Sequence, residues 1–272
     1  MCATCGCGDD AGVRVYGPGG HAHDSHAHDS HVHDGHAHDS HAHDSHAHDH
    51  DDGAARTVML QQKILAKNDR LAEANRAWLL ERGILAVNLM SSPGAGKTTL
   101  LERTAREAGA QLGLAVIEGD QETTLDAGRI ESAGAAVVQI NTGAGCHLDA
   151  AMVAQGLHVL EPRPGSVVVI ENVGNLVCPA LFDLGEQARV VIASVTEGAD
   201  KPLKYPQMFR AADLVLLAKV DLLPYLDFDT ARHAADLKRV SPRAEILPVS
   251  ATTGEGMSAW YDWLRQRTRA PC

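Results

Sequence analysis

The sequence predicts an α/β protein built on a mostly parallel sheet with helices on both faces, preceded by a tail of different character. Three observations carry this. Short β-rich runs at 85–90, 114–118, 136–140, 167–171, 190–195, 214–218 and 245–249 alternate with amphipathic stretches such as 98–108, 148–160, 230–240 and 257–267, the pattern of crossover-connected strands. The runs are near-continuous Val, Ile and Leu, as strands buried on both faces require. Charge divides the chain: residues 1–52 hold ten Asp against a single Arg, Arg14, so most of the net −11 belongs there.

The expected organisation is a disordered tail over 1–56, a leading helix over 57–83 and a domain over 84–270. Within the tail, residues 21–49 repeat a five-residue unit, His-x-His-Asp-(Ser/Gly), with almost nothing apolar to offset the cost of ordering it. The interleaved Asp and the start at residue 21 distinguish it from a purification tag. In the helix, Leu60, Ile64, Leu71, Ala74 and Trp78 mark one face, and Gly83 can end it. The 272 residues, 44% apolar, are enough to bury a good core. The acidic balance argues against nucleic acid as a partner. No apolar run approaches a membrane span and no secretory signal is visible, so the expected location is cytoplasmic. In a reducing compartment the six cysteines read as metal ligands or buried thiols before disulfides.

After the first strand stands Ser91-Ser92-Pro93-Gly94-Ala95-Gly96-Lys97-Thr98-Thr99, then a helix. Gly94 and Gly96 let backbone amides turn inward around phosphate oxygens, and the helix N-terminus adds positive partial charge. Lys97 would reach the β- and γ-phosphates and the Thr98 hydroxyl would ligate Mg²⁺, with Ala95 and Thr99 completing the loop. Ser91 replaces the usual first glycine, a position expected to close the strand without touching phosphate. The fold class is therefore a P-loop nucleoside-triphosphatase domain.

Two acids end strands beside this loop. Asp120 can hold the Mg²⁺ shell or a catalytic water, although a solvated or helix-capping Asp is the plainer alternative. Glu171 takes the place of the second Mg²⁺-side acid of such folds, and Gly174, three residues on, can sense a γ-phosphate. Lys97, Asp120 and Glu171 are thus the candidate catalytic groups. Base choice falls to Lys219-Val220-Asp221, where the Asp carboxylate would accept two hydrogen bonds from guanine and the Lys stem would pack on the base. Ser250 and Ala251 follow a later strand, where a backbone contact to the guanine oxygen is expected. Ala218 stands where an Asn amide usually assists.

Metal-ligand types gather in three places. Cys2, Cys5 and Cys7 form Cys-x-x-Cys-Gly-Cys, three thiols able to wrap one ion, square-planar for Ni²⁺ or tetrahedral for Zn²⁺. Cys146, His147 and Cys178 lie in two loops that open beside the nucleotide; taken separately, the two cysteines are more often buried apolar thiols than ligands. The third place is the tract of His21, His23, His26, His28, His31, His33, His36, His38, His41, His43, His46, His48 and His50, suited to storing several ions in interchangeable geometries.

Together, CxxCGC, SSPGAGKTTL, EGDQETTLDAGRI, NTGAGCHLDA, ENVGNLVCPA, KVDLLPYLDFD and SATTGEGM resemble the hydrogenase nickel-incorporation GTPases, the HypB family of [NiFe]-hydrogenase maturation, over 85–260 and the extreme N-terminus. The resemblance implies slow GTP hydrolysis with Mg²⁺, a tight nickel site at Cys2, Cys5 and Cys7, and a weaker nickel or zinc site at Cys146, His147 and Cys178. It also implies a homodimer in the GTP state, with a small nickel metallochaperone and the hydrogenase large-subunit precursor as partners. No arginine in the chain stands out as a finger for the phosphates. Competing readings are a urease-type nickel-delivery GTPase, which usually has one Cys-Pro-His motif, a nickel store with a vestigial nucleotide domain, and an unrelated P-loop kinase.

Overall fold

The computed structural model describes residues 14–17, 52–120, 125–143 and 145–269. Its eight strands are β1 (Arg14–Tyr16), β2 (Leu85–Ser91), β3 (Ala115–Asp120), β4 (Ala136–Asn141), β5 (Val167–Glu171), β6 (Ala188–Ser194), β7 (Leu214–Ala218) and β8 (Glu245–Val249). They form one sheet in the order β1-β4-β3-β5-β2-β6-β7-β8, parallel throughout except for β1, which runs antiparallel to β4. The helices are α1 (Asp52–Glu81), α2 (Lys97–Leu112), α3 (Leu125–Ser132), α4 (Ala150–Leu160), α5 (Lys201–Lys204), α6 (Pro206–Arg210), α7 (Thr230–Val240) and α8 (Met257–Arg269).

Period-two side-chain alternation builds the two cores. Along β2, Leu85, Val87 and Leu89 pack under α2, α3 and α8, where Trp260 is fully buried and donates its indole N–H to the Thr104 hydroxyl at 3.1 Å. Ala86 faces α1 and α4, and Met90 faces α6 and α7. Every residue of β2 and β5 is buried, which is why those runs carry no polar alternation. Among the described residues no helix is long and apolar enough to cross a membrane.

Three expectations need correction. Residues 14–16, assigned to a disordered tail, are a strand on the sheet edge, with Val15 packed against the core cluster that holds Ile140 and Leu148. The leading helix already runs from Asp52 and ends at Glu81, with Gly83 adopting a positive φ of 61° just beyond. Its buried stripe is Asn68, Ala72, Asn75 and Leu79, whereas Ala74 is exposed and Ile64, Leu71 and Trp78 are half-buried. The apolar periodicity misplaced this face because two of its four inward positions are asparagines whose amides bond backbone on other elements. The motif Cys2, Cys5, Cys7, the His21–His50 tract, the side chain of Leu60, and Cys272 lie outside the described residues.

Candidate nucleotide and metal sites

The carboxyl ends of the parallel strands share one edge of the sheet, where ligands of such folds bind. At the end of β2 the chain turns through Gly94 (φ +73°) and Gly96 (φ +106°) into the N-terminus of α2, leaving backbone amides free to face an anion. Lys97 Nζ donates to Ser91 Oγ at 3.1 Å, so the residue expected only to close the strand holds the lysine expected at the phosphates. Burial lowers the Lys97 pKa, opposed by Glu171 and Glu118. The Ser92 hydroxyl donates to the Glu197 carboxylate, tying the loop to the 3₁₀ turn that follows β6.

A cavity of about 440 Å³ opens here, lined among others by Gly94, Lys97, Thr98, Thr99, Asp120 and Glu171. Glu171 Oε1 accepts from the Thr98 hydroxyl at 2.9 Å, while its Oε2 is buried with no protein partner. Burial pushes this carboxyl up to about 7, against the pull of Lys97 and the Thr98 hydroxyl. Glu118, absent from the sequence-derived candidates, stands opposite Glu171 in register on β3 and also has an unpartnered buried oxygen. Its carboxyl is pushed up to about 9 by burial and by Glu171 and Asp120. Oxygens of this kind beside a hydroxyl suit a hard divalent cation such as Mg²⁺. Arg129 of α3 also lines the cavity, the arginine the sequence did not single out. It is ion-paired with Glu102 at 2.8 Å and Asp126 at 3.2 Å. The larger cavity, about 590 Å³, lies at the opposite edge of the sheet, near the starts of β3 and β4, away from all these groups.

Past β7, Lys219 of the residues expected at the base reaches the same turn. Lys219, in the left-handed region at φ 61°, reaches Gly94 O with Nζ at 2.7 Å, so its stem lies along the phosphate loop. Asp221 follows in a 3₁₀ turn, Val220–Tyr225. Ser250 is fully buried and its hydroxyl accepts from Thr253 N, while the Ala251 and Thr252 carbonyls accept from Arg103 of α2, both at 3.0 Å. Ala218 is the last residue of β7.

Cys146, His147 and Cys178 meet, with one donor atom from each lying within 4.8 Å of the other two. Cys146 Sγ is 3.6 Å from His147 Nδ1. Asp149 caps α4 by accepting from Met152 N, and Cys178 opens the 3₁₀ turn Cys178–Leu181. His147 packs against Phe182 with the ring centroids 4.0 Å apart and the planes tilted by 33°, and burial lowers its pKa, which favours the neutral ring a metal needs. Two thiols and an imidazole form a donor set for Ni²⁺ or Zn²⁺. α1 braces both loops: Asn68 accepts from Ala150 N and donates to Asp183 O, Asn75 donates to Ala150 O and Leu184 O, and Arg76 pairs with Asp183 at 2.6 Å.

The two sites are joined by Asn172 and Leu148. Asn172 follows Glu171; its Oδ1 accepts from Leu148 N at 3.1 Å and from Val173 N at 3.0 Å, and its Nδ2 donates to Asn88 at 3.3 Å. Leu148 follows His147 and is fully buried over Gly119, where a Cβ would lie 2.7 Å from Leu148 Cγ. Gly174 in turn presses on the phosphate loop, a Cβ there falling 2.9 Å from Pro93 Cα.

A mononucleotide cradle at the switch of a parallel sheet defines a P-loop nucleotide-binding domain. The family described as CobW/HypB/UreG, nucleotide-binding domain, matches residues 85–248. The Hydrogenase maturation factor HypB of Rhizobium leguminosarum bv. viciae is 57% identical over 209 residues, covering 77% of this chain and 70% of that protein. Among solved structures, HypB from Archaeoglobus fulgidus is similar at 43% identity with a TM-score of 0.71, over 75% of this chain and 100% of that one. HypB from Helicobacter pylori, solved in complex with nickel, is similar at 37% identity with a TM-score of 0.70, over 75% and 95%. The chain belongs to the HypB family of hydrogenase maturation factors.

Proposed function

We propose that the protein is a metal-gated GTPase that carries nickel to the hydrogenase large-subunit precursor, with nickel as its cargo. The observation that carries this reading is the contact of Asn172 with Leu148, one residue from the acid of the nucleotide cavity and one residue from His147. Gly94, Ala95, Gly96 and the start of α2 would cradle the phosphates, with Lys97 leaving Ser91 for the β- and γ-oxygens. Thr98, Asp120 and Glu171 would hold Mg²⁺, which neutralises charge developing between those phosphates. A γ-phosphate pressing on Gly174 and Glu171 would shift Asn172, and with it Leu148 and the His147 ligand. Hydrolysis would release that shift.

Asp221 would select guanine, with Lys219 and the Ser250–Ala251 backbone packing around the base. Arg129 is already engaged by two carboxylates, which fits slow turnover. Cys2, Cys5, Cys7 and the histidine tract would hold further nickel, and a small nickel metallochaperone and a second copy of the chain would be the partners of the exchange. The deciding experiment measures GTP and ATP hydrolysis with and without Ni²⁺ on the intact chain and on Cys146→Ala/Cys178→Ala. GTP-selective turnover that responds to nickel only with both cysteines present supports the reading. Turnover indifferent to nickel, in a chain that still binds many ions, would make it a nickel store.

A further inference from the structure

The loop between β8 and α8 is held from α2. Arg103 turns its Nη1 onto two carbonyls of that loop, Ala251 O and Thr252 O, each at 3.0 Å. Its Nε is ion-paired with Glu107 Oε1 at 2.7 Å, one turn further along α2. The other oxygen of Glu107 accepts from the Tyr261 hydroxyl of α8 at 2.9 Å. The guanidinium lies over Gly254, at φ +93°, where a Cβ would fall 2.5 Å from Nη2. Both Nη1 protons thus have acceptors, and the head group is fixed at Nε as well. Arg103 stands six residues, about 9 Å, along α2 from Lys97. One helix therefore carries the lysine expected at the phosphates and, on its second turn, the tether of this loop.

From these facts we infer that Arg103 is a positioning residue for base choice, setting the loop backbone so that its amides meet the keto oxygen of guanine. The inference rests on the guanine reading proposed above and adds the group that fixes its geometry. Ala218 and Val249 are partners across parallel strands, so Lys219 and Ser250 leave the sheet side by side. Lys219 in turn reaches the phosphate loop at Gly94 O. The peptide groups here are trans, so fixing a carbonyl points the following N–H the opposite way. Ser250 O accepts from Gly254 N at 2.9 Å and Ala251 O accepts from Arg103, which turns the N–H groups of Ala251 and Thr252 away from those donors. Among the described residues neither N–H has an acceptor, whereas the Thr253 N–H is used within the loop, on Ser250 Oγ at 3.1 Å. Amide donors held in this way accept the O6 of guanine and meet a like donor in the amino group of adenine.

The test measures equilibrium binding of GTP and 6-thio-GTP, each with Mg²⁺, to the full chain. Sulfur at position 6 is a weak acceptor, while the ring N–H and the 2-amino group that Asp221 would read are unchanged. Four chains are compared. Beside the parent stand Arg103→Ala, Arg103→Met, which keeps the stem over Gly254 without its donors, and Arg103→Lys, whose ammonium can serve both carbonyls. The parent should prefer GTP to 6-thio-GTP about tenfold, the worth of one well-oriented hydrogen bond. In Arg103→Ala and Arg103→Met the ratio should fall to near one. That fall should come from lost GTP affinity, with 6-thio-GTP affinity held within about twofold. Arg103→Lys should restore most of the preference.

Equal weakening of both nucleotides in the Ala and Met variants would make Arg103 a brace of the fold alone and overturn the inference. A preference as large as the parent's in either variant would overturn it too. Arg103→Met retains the packing of the stem, so it answers the question even where Arg103→Ala does not fold. Titration of the parent with ATP separates the underlying reading. A parent that binds ATP as tightly as GTP would remove the guanine reading itself. One that prefers GTP to ATP but not to 6-thio-GTP would keep that reading through Asp221 and overturn the role of this loop, and of Arg103 with it.

Discussion

Replacing Asn172 by Ala cuts the side-chain link between the two sites while leaving every proposed ligand of nucleotide and metal in place. In the parent, Asn172 Oδ1 satisfies two buried amides, Leu148 N and Val173 N. Stranding a buried N–H costs about 1–3 kcal/mol, so Asn172→Ala should destabilise the fold by about 2–5 kcal/mol. In a domain of this size that lowers the melting temperature by roughly 5–15 °C. The functional effect is separate. Coupling between two binding sites is typically about 1–3 kcal/mol, a factor of roughly 5–150 in affinity, and is the same read from either ligand. The assay is therefore titration of a fluorescent GTP analogue with and without Ni²⁺, the internal site's share being the part lost in Cys146→Ala/Cys178→Ala. Asn172→Ala should bring the nickel-dependent ratio to one. Asn172→Asp keeps both acceptor bonds at the cost of a buried charge, so it should destabilise yet remain coupled. A wild-type ratio in Asn172→Ala would refute the route through Leu148.

Four further outcomes follow from the geometry. Glu171 ionises at about 7, and Mg²⁺ needs the ionised carboxylate, so protons compete with the ion below that pH. Mg²⁺-dependent GTP affinity should be about tenfold weaker at pH 6 than at pH 8, and a flat profile in the parent chain would refute the Glu171 role. The same raised pKa means that ligand-free stability falls as pH rises from about 4.5 through 7, because the folded chain keeps a proton that the unfolded chain has lost. Asn75→Ala leaves the Ala150 and Leu184 carbonyls without their donor and should cost about 1–3 kcal/mol in denaturant unfolding. Ala218→Asn adds the missing amide at the end of β7 and should tighten GTP binding about fivefold without helping ATP, checked by paired titrations.

Much of this molecule was legible before any coordinates. Six of the seven parallel strands announce themselves because both faces are largely buried, and the phosphate loop does so because only glycines in that spacing let the backbone close on an anion. The positions of β5, β7 and β8 match the sequence boundaries to the residue, and α4, α7 and α8 begin within two residues of theirs. Cys146, His147 and Cys178 were named as candidates, but their spacing of 31 residues between the last two says nothing about whether the loops meet.

The α1 face shows where local pattern fails. Asn68 and Asn75 face inward because their amides bond Asp183, Leu184 and Ala150, partners at least 75 residues away that no helical period can encode. Glu118 escaped notice for a related reason: it is one of two acids among the last three residues of β3, and only pairing with β5 sets it against Glu171. Arg129 became a cavity residue only when α3 folded beside α2. β1 had the weakest signal, three residues within a polar tail whose strand character comes from the free edge of β4.

By itself the sequence determined the class of fold, the chemistry of the phosphate loop and the kinds of metal donor present, since each depends on residue type and short-range spacing. The tertiary structure decided which donors share a site, which asparagines and acids turn inward, and that Asn172 ties the nucleotide cavity to His147. Those outcomes depend on strand order and long-range packing, which place residues from separate segments within a hydrogen bond of one another.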